Sequence, residues 1–294
     1  MKVSAFMPIT NPTKRGDTFL EAIISHLYWA DELVVVDGGS TDGSLEAIRR
    51  IGDKRIRIIH REWPQENWSW KEFAKAWNAG YEACTGDWVA AGETDHIFHE
   101  KEAKRVREEI ERETAKGKMV MKVQKLQSAD VESWQSKSQM YYFLFKGKYP
   151  QLRYGFDPHH ETDLAHPIWW CGEFYEDIPQ GEAIVEGSRF TDQIGGTGAN
   201  LYNYLWSFKT FEQVVQERIK GARAWNNFSG FTGVYKRRFP EGDDNIREWI
   251  KGQILSVRLK ATRHIPLADQ PKIMQEKIER DLKAGMIGRK DLSI

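Results

Sequence analysis

The sequence predicts an α/β fold in which a mixed, mostly parallel β-sheet is flanked by helices and followed by a C-terminal helical appendage. Two observations lead to this prediction. Over residues 1–126, short apolar runs alternate with helical patterns, and the connections between them are short. After residue 126 the alternation stops, and clear amphipathic patterns return only near the C-terminus. Regular alternation is typical of parallel strands whose crossover helices cover the faces of a sheet.

Each element of the first part has its own pattern. The run ELVVVD (32–37) is continuously apolar up to its last residue, as expected of a strand buried on both faces. The segment 17–30 has apolar residues at the helical period, with Asp17 as the predicted N-cap. By the same criteria the predicted strands are 2–9, 32–37, 55–60, 87–91 and 118–126, and the predicted helices are 17–30, 41–51, 69–84 and 100–116.

The 294 residues are enough for one large domain with a smaller addition. Residues 127–235 mix short aromatic runs with clusters of acids and histidines, so we expect them to complete the same domain and to contribute to its site. Their Gly-rich segment 195–200 is predicted to be a mobile loop. Residues 236–294 are predicted to be a helical extension; the predicted helices of the second part are 207–225, 243–260 and 269–285.

Composition argues against several classes of protein. Lys+Arg and Asp+Glu are both 43, whereas general nucleic-acid binders usually carry a basic excess, so no nucleic-acid partner is expected. Two cysteines, Cys84 and Cys171, cannot build a disulfide framework or a cysteine-rich zinc site. No run approaches the ~18 apolar residues that span a membrane, and the N-terminus lacks the apolar core of a signal peptide. We therefore expect a cytoplasmic protein, with peripheral attachment to a membrane left open.

The most informative stretch is LVVVDGGSTDGS, residues 33–44. A buried strand brings Asp37 to its carboxyl end, and Gly38, Gly39 and Gly43 allow the backbone to turn tightly beside a ligand. In parallel sheets, ligands bind beyond the carboxyl ends of the strands. An acid at this position can accept hydrogen bonds from a ribose or a base, although an ordinary strand-to-helix turn has a similar composition.

This stretch resembles the VVVDDGSTDGT element of family 2 glycosyltransferases, which have the nucleotide-sugar-binding GT-A fold. Three further stretches resemble the family in the same order: FMPITN (6–11), HREWP (60–64) and AKAWNAGYEACTGDWVAAGETD (74–95). The resemblance implies transfer of a sugar from a nucleoside-diphosphate donor of UDP or GDP type, usually with Mg²⁺ or Mn²⁺. It implies that residues 1–126 form the nucleotide-sugar-binding half and residues 127–235 the acceptor or catalytic half. An acceptor glycan, a lipid-linked acceptor and a small molecule all stay open.

The family's Asp-x-Asp motif falls on Glu93, Thr94 and Asp95. Asp95 is the predicted metal ligand and Glu93 the second one. Because Glu93 replaces an aspartate of the family pattern, strict metal dependence is in question. A divalent ion held by hard oxygen ligands would neutralise the leaving diphosphate as a Lewis acid. His96 is expected to be a loop histidine, with a metal role left open, and His99 to lie at the start of the next helix.

The resemblance also assigns donor contacts. Pro8, Thr10 and Asn11 are expected to line the base pocket, and Asp37 to bind the base. The other predicted donor-binding residues are Gly39, Ser40 and Asp42 near the ribose, Lys71 and Lys75 near the diphosphate, and Glu93 and Thr94 in the motif. The segment WPQENWSW (63–70) carries three tryptophans, one of which is predicted to stack on a sugar or base.

An inverting transferase needs a general base that deprotonates the acceptor hydroxyl. In the family an acidic pair in the second half supplies it, and YED (175–177) is the best match here. Asp177 is the first candidate, Glu176 the second, and Asp163 a third. Asp157 and Glu161 compete with them. A separate metal cluster of His159, His160, Glu161 and His166 is an alternative use of the same region.

Three other functions stay open at this point. A sugar-phosphate nucleotidyltransferase would need a Gly- and Arg/Lys-rich first loop, and PITNPTKRGD offers only Lys14, Arg15 and one glycine. A non-catalytic nucleotide-sugar or carbohydrate-binding protein of the same fold would explain Glu93. A transferase that glycosylates DNA bases would need a local basic patch, since the net charge is zero.

Overall fold

The computed structural model describes residues 1–63, 70–118, 120–128, 132–146, 152–155, 168–171, 174–175, 178–179, 182–183, 194–204, 208–226 and 243–284. Its strands are β1 (Val3–Ile9), β2 (Glu32–Asp37), β3 (Ile56–His60), β4 (Trp88–Ala91), β5 (His96–Phe98), β6 (Val120–Ser128), β7 (Ser133–Phe145), β8 (Leu152–Gly155), β9 (Ile168–Cys171), β10 (Phe174–Tyr175), β11 (Ile178–Pro179), β12 (Glu182–Ala183), β13 (Ile194–Asn203) and β14 (Arg263–His264). Its α-helices are α1 (Pro12–Arg15), α2 (Phe19–His26), α3 (Ser44–Arg50), α4 (Trp70–Ala83), α5 (Glu100–Ala115), α6 (Phe211–Asn226), α7 (Asp243–Leu259) and α8 (Lys272–Lys283), with a 3₁₀ turn at Leu267–Asp269.

The main sheet of the described residues has the order β3-β2-β1-β4-β7-β6-β13-β5, and β14 pairs with β7. The first four strands are parallel to one another. β7 then runs antiparallel to both β4 and β6, β13 runs parallel to β6, and β5 runs antiparallel to β13. The sheet is therefore mixed, with helices between its parallel strands. This confirms the predicted α/β class.

The parallel strands form the centre of the core. Every residue of β2 is buried, in agreement with its continuous apolar pattern, because helices cover both faces of the strand. α5 shows the opposite pattern, with its buried side chains along one stripe that includes Val106 and Ile110. His99 caps this helix by accepting a hydrogen bond from the Lys101 amide at 3.2 Å, which confirms its predicted place at the helix start.

Two local predictions are wrong. α2 begins at Phe19, and the residue before it, Thr18, occupies the N-cap position. Asp17 does not cap the helix, because its carboxylate is held by charged partners described below. Residues 195–200 are not a loop but part of β13, between β6 and β5. The pairing of β13 with β6 shifts register between Gly196 and Asn200. Glycines in strands often mark such irregularities.

The C-terminal elements pack on the sheet and on one another. α6 and α7 share an apolar contact built from Val214, Val215 and Ile219 on one helix and Ile246 and Ile250 on the other. Met274 of α8 joins the main core. The predicted helices 207–225, 243–260 and 269–285 thus correspond to α6, α7 and α8. Among the helices of the described ranges, none has both the length and the apolar character needed to cross a membrane.

Candidate active site

The carboxyl ends of three parallel strands meet at one edge of the sheet. Ile9 at the end of β1 lies opposite Asp37 at the end of β2. On the other side of β1, Phe6 lies opposite Ala91, the last residue of β4. The amide of Gly92 then donates to the carbonyl of Phe6 at 2.7 Å. The turn after β2 and the loop after β4 therefore flank the end of the same strand, where parallel sheets bind their ligands.

Asp37 organises the turn after β2. Its Oδ1 accepts the Ser40 amide at 3.0 Å, and its Oδ2 accepts the Gly39 amide at 3.2 Å. The same Oδ2 lies 3.2 Å from Nδ1 of His60, at the end of β3. Asp37 is only 2% exposed, whereas the His60 ring is largely exposed. The carboxylate thus shapes the turn and orients a histidine at its rim.

Side-chain hydrogen bonds connect this turn to the segment after β1. Asn11 has a left-handed backbone, with φ of 46°, a conformation that asparagine tolerates better than most residues. Its amide donates to Ser40 Oγ at 2.9 Å, and its Oδ1 accepts the Thr41 amide at 2.8 Å. Asp42 Oδ2 accepts the Lys14 amide at 2.8 Å. The two segments therefore form one hydrogen-bonded surface, which includes Asn11, Asp37, Ser40 and Asp42 of the predicted donor-binding residues.

Gly38 is required by close packing. A Cβ placed at Gly38 would lie 2.2 Å from the Trp63 indole and 2.4 Å from Thr10 Oγ1. Trp63 is buried and is the one tryptophan of the 63–70 segment whose side chain the structure describes. The prediction that a tryptophan of this segment stacks on a sugar or base stays a prediction.

The loop after β4 brings together Glu93, Asp95 and His96. One donor atom from each side chain lies within 4.8 Å of the others. His96 Nε2 is 3.7 Å from Glu93 Oε1 and 3.9 Å from Asp95 Oδ1. His96 opens β5 and is 1% exposed, so the expectation of a loop histidine is wrong. The short β5 directs its first side chain towards the two acids.

The electrostatics of this cluster differ from residue to residue. Asp95 is buried, and burial together with the nearby Glu93 carboxylate raises the pKa of Asp95 to about 7, despite the opposing charge of Lys209. Burial and the charge of Lys125 hold the pKa of His96 well below its usual range, which keeps the imidazole neutral. Glu93 is the exposed member, at 47%.

Asp17 holds the loop after β4 through Thr94. Its Oδ2 accepts the Thr94 hydroxyl at 2.9 Å, and the neighbouring Thr18 hydroxyl donates to the Thr94 carbonyl at 3.1 Å. Thr94 is thereby fixed at both its side chain and its backbone. On the other side of the motif, the Tyr204 amide donates to the Asp95 carbonyl at 3.0 Å. The loop that carries the two acids is therefore held by Asp17 and Thr18, just before α2, and by Tyr204, just after β13.

A buried network of charges extends from Asp17 to α6. Lys209 Nζ lies 2.7 Å from Asp17 Oδ1 and 2.6 Å from Glu217 Oε2. Arg15 also donates from Nε to Asp17 Oδ2 at 3.0 Å. Burial alone would raise the pKa of Asp17, but the charges of Arg15 and Lys209 outweigh burial and lower it. Because Lys209 also faces Asp95, the network ties the motif to the second half of the chain.

Of the other predicted site residues, some lie within the described residues and others lie outside them. Lys75 donates to Glu72 at 2.9 Å along α4. Lys71 belongs to α4, but its side chain is outside the described residues. The candidate general bases Asp177, Glu176 and Asp163, their competitors Asp157 and Glu161, and the histidine cluster at 159, 160 and 166 also lie outside the described residues.

Sequence reasoning missed four charged residues near the motif: Arg15, Asp17, Lys125 and Lys209. Each stands in a stretch where a solvated charge or a cap is the ordinary interpretation. Asp17 offers no local signal beyond its position six residues after Asn11 of the predicted base pocket.

A divalent cation fits the donor set after β4. The two carboxylates are oxygen ligands that suit Mg²⁺ or Mn²⁺, and the neutral imidazole adds a nitrogen donor beside them. The raised pKa of Asp95 shows that the buried negative charge is incompletely compensated by the protein, and a cation would compensate it. Among the described residues, Glu93, Asp95 and His96 form the group of His, Cys, Asp or Glu side chains whose donor atoms lie close enough together to share such an ion.

The sequence model described as Glycosyl transferase family 2 matches residues 4–167. The chain belongs to this family. The match spans more than half of the 294 residues and includes both loops at the carboxyl edge of the sheet. It confirms the resemblance first indicated by residues 33–44.

Three individual proteins show likeness to this family 2 chain. The glycosyltransferase GlyG of Streptococcus pneumoniae serotype 4 is 29% identical over 115 residues, which are 38% of this chain and 36% of GlyG. The chain thus spans about a third of the length of that curated relative. Among solved structures, S. aureus TarS 1-349 in complex with UDP is 15% identical with a TM-score of 0.44, covering 83% of this chain and 74% of that one. Mannosyltransferase PcManGT from Pyrobaculum calidifontis in complex with GDP-Man and Mn²⁺ is 10% identical with a TM-score of 0.43, covering 99% and 81%.

Proposed function

We propose that this protein is an inverting, metal-assisted glycosyltransferase that moves a sugar from a nucleoside-diphosphate donor of UDP or GDP type to a hydroxyl of an acceptor. The observation that carries the proposal is the cluster of Glu93, Asp95 and His96 beside the hydrogen-bonded turn of Asp37, at one edge of the sheet. Membership of glycosyl transferase family 2 supports the reaction class.

The turn after β2 would bind the nucleoside. The surface formed by Asn11, Asp37 and Ser40 is rigid before a ligand arrives, because its side chains already bond the backbone of the neighbouring segment. Such preorganisation lowers the entropy lost on binding. Pro8, Thr10, Gly39 and Asp42 complete the proposed base and ribose surface.

Asp95 and His96 would hold the divalent cation, with Glu93 at the exposed side. When bound, the cation supplies Lewis-acid neutralisation of the negative charge that develops on the departing diphosphate. The protein's own part is to keep the ligands in place. Thr94, fixed by Asp17 and Thr18, sets the direction of the carboxylates on either side of it.

Inversion requires a base on the acceptor side of the sugar. We propose that Asp177 accepts the proton of the acceptor hydroxyl, with Glu176 and then Asp163 as the next candidates. Asp177→Asn should leave donor affinity near the wild-type value while transfer stops. Transfer at the wild-type rate by this variant would exclude Asp177 as the base.

A binding screen tests the donor part of the proposal. The thermal midpoint of the purified protein is measured with nucleoside diphosphates and nucleotide sugars, each with and without Mn²⁺. Because a ligand that binds the native state alone stabilises it, a nucleoside-diphosphate donor should raise the midpoint, and more so with Mn²⁺. An unchanged midpoint with every nucleotide, in wild-type protein that is folded, would contradict the proposal.

A transfer assay then separates an enzyme from a binding protein. The best donor of the screen is incubated with glycan, lipid-linked and small-molecule acceptors, and the released nucleoside diphosphate is measured. The control is the same incubation without acceptor, which measures hydrolysis of the donor by water. A donor that binds but is never consumed would favour the non-catalytic alternative.

A further inference from the structure

Lys125 lies against the motif at the point where this chain departs from the family pattern. It is a residue of β6, its side chain is 12% exposed, and its Nζ is 3.7 Å from Glu93 Oε1. The same carboxylate oxygen is 3.7 Å from His96 Nε2. Glu93 Oε1 therefore lies near a lysine ammonium on one side and a metal-ligand candidate on the other.

The sheet explains how a lysine comes to this position. β6 is separated from β5 by β13 alone, and Lys125 is paired with Leu201, which in turn is paired with Phe98 of β5. Lys125 stands where the pairing of β6 with β7 shifts register, between Gln124 and Leu126, and such irregularities re-aim side chains next to functional sites. A lysine is seldom buried unless it is paired, and Glu93 is the acid it faces.

We propose that Lys125 is a positioning residue of the metal centre: it pairs with Glu93, offsets the charge of that carboxylate, and leaves Asp95 and His96 as the principal ligands of the cation. The inference rests on the proposed function and deepens it. It gives the two acids of the motif different roles, since Asp95 binds the cation and Glu93 pairs with Lys125. Lys125 is thus a partner for the glutamate that replaces an aspartate of the family pattern.

This arrangement has a consequence that a merely structural ion pair lacks. If Lys125 draws Glu93 away from the cation, removing the lysine charge should strengthen metal binding rather than weaken it. We expect Lys125→Met to bind Mn²⁺ about tenfold more tightly than the wild type, a size typical of removing one close charge from a partly screened site. Lys125→Arg keeps the charge and should restore the wild-type affinity.

The test is a Mn²⁺ titration of the full chain, alone and with UDP or GDP present, monitored by calorimetry or by the loss of the free-ion signal in electron paramagnetic resonance. The variants are Lys125→Met, Lys125→Gln, Lys125→Arg, Glu93→Gln and the double variant of Glu93→Gln with Lys125→Met. Lys104→Met serves as the control for loss of an exposed lysine charge. A thermal melt of each variant identifies any that fails to fold, and Lys125→Gln keeps the test available if Lys125→Met is one of them.

The double variant decides how Lys125 acts. If it acts through Glu93, Lys125→Met should change the affinity less than twofold when residue 93 is Gln. If Lys125→Met strengthened Mn²⁺ binding equally with Glu and with Gln at residue 93, Lys125 would act by direct repulsion of the cation. That result would overturn the proposal. Unchanged or weaker binding by folded Lys125→Met and Lys125→Gln would also overturn it, while the metal centre itself would stand.

The same titration distinguishes this inference from the proposed function. Should the wild type bind no Mn²⁺ while Lys125→Met binds it, metal assistance of the wild-type reaction would be refuted, and the effect of Lys125 would be supported. Should neither bind Mn²⁺, both would be refuted.

Discussion

Two neighbouring segments at the carboxyl edge of the sheet hold a buried acid in opposite ways. In the turn after β2, Asp37 accepts backbone amides at 3.0 and 3.2 Å, so its charge is used to shape the chain. In the loop after β4, Asp95 is buried beside a second carboxylate, which helps to raise its pKa to about 7. A satisfied acid builds structure, whereas an acid whose charge is left incompletely compensated is suited to binding a cation.

The contrast also separates rigid from reactive parts of the site. The turn of Asp37 bonds to the segment after β1 and needs no ligand to be ordered. The loop of Asp95 is equally well held at Thr94, but its carboxylates face one another and a neutral imidazole. Four substitutions test this contrast.

Asp95→Asn should cause the largest loss. We expect the transfer rate to fall by about a thousandfold, since charge stabilisation by a bound cation contributes several kcal/mol to such steps. The unfolding free energy without metal should be no lower than that of the wild type, because the change removes a buried charge beside Glu93. Transfer kinetics and urea denaturation measure the two effects. Near-wild-type transfer by Asp95→Asn would remove Asp95 from the metal centre.

Gly38→Ala should damage the other segment. The new Cβ would meet the Trp63 indole at 2.2 Å, so the turn or the ring must move. We expect a loss of about 3 kcal/mol in unfolding free energy, at the upper end of overpacking costs. Gly252→Ala is the control, because a Cβ there meets nothing within 4 Å. Equal denaturation midpoints for both variants would show that the packing at Gly38 is loose.

Glu32, at the opposite end of β2 from Asp37, extends the comparison to a third acid. Burial raises its pKa, but hydrogen bonds from Thr85, Ser4 and Arg57 outweigh burial and lower the pKa to about 2. A depressed pKa in the folded state contributes stability above the unfolded value of about 4.3, and that stability is lost as pH falls through 2. Glu32→Gln should therefore be less stable by about 2 kcal/mol at pH 7.

The difference in unfolding free energy between the wild type and Glu32→Gln should shrink steadily as pH falls below about 4.3. Urea denaturation at a series of pH values measures it. A difference that stays constant from pH 7 to pH 3 would mean that the charge of Glu32 is not what its partners stabilise.

Ser40→Ala should have the smallest effect. It removes the acceptor of the Asn11 amide and should lower the unfolding free energy by about 1 kcal/mol, the usual net value of one hydrogen bond. Thr41→Ala is the matched control, because the Thr41 side chain is exposed and its amide keeps the bond to Asn11. If both variants lose the same amount in urea denaturation, the Ser40 contact contributes nothing specific.

Elements with strong local patterns were predictable from the sequence, and residues that act across the chain were not. The apolar run of β2 and the helical period of α5 are local, so both elements were predicted nearly to the residue. The sequence around Asp17 predicts a helix cap, because its neighbours have the pattern of a helix start. Its true partners include Thr94 and Lys209, which are 77 and 192 positions away, and no local pattern reports such contacts.

Residues 195–200 are a second case in which local sequence does not report contacts with remote segments. Their glycines favour a loop when they are considered alone, but β6 pairs with Gly195, Gly196 and Asn200, and the segment becomes part of β13. Pairing partners outweigh local preference because every backbone group that a sheet buries must be bonded.

Contiguous residues were enough to predict the α/β class, the family and the positions of Asp37 and Asp95, because apolar periodicity and short motifs are local patterns. The environment of each acid arises from the folded chain: amides surround Asp37, a second carboxylate and His96 lie beside Asp95, and Lys125 lies beside Glu93. Charges interact through space, and the distances that decide burial, pairing and pKa arise only when strands that are remote in sequence are placed side by side.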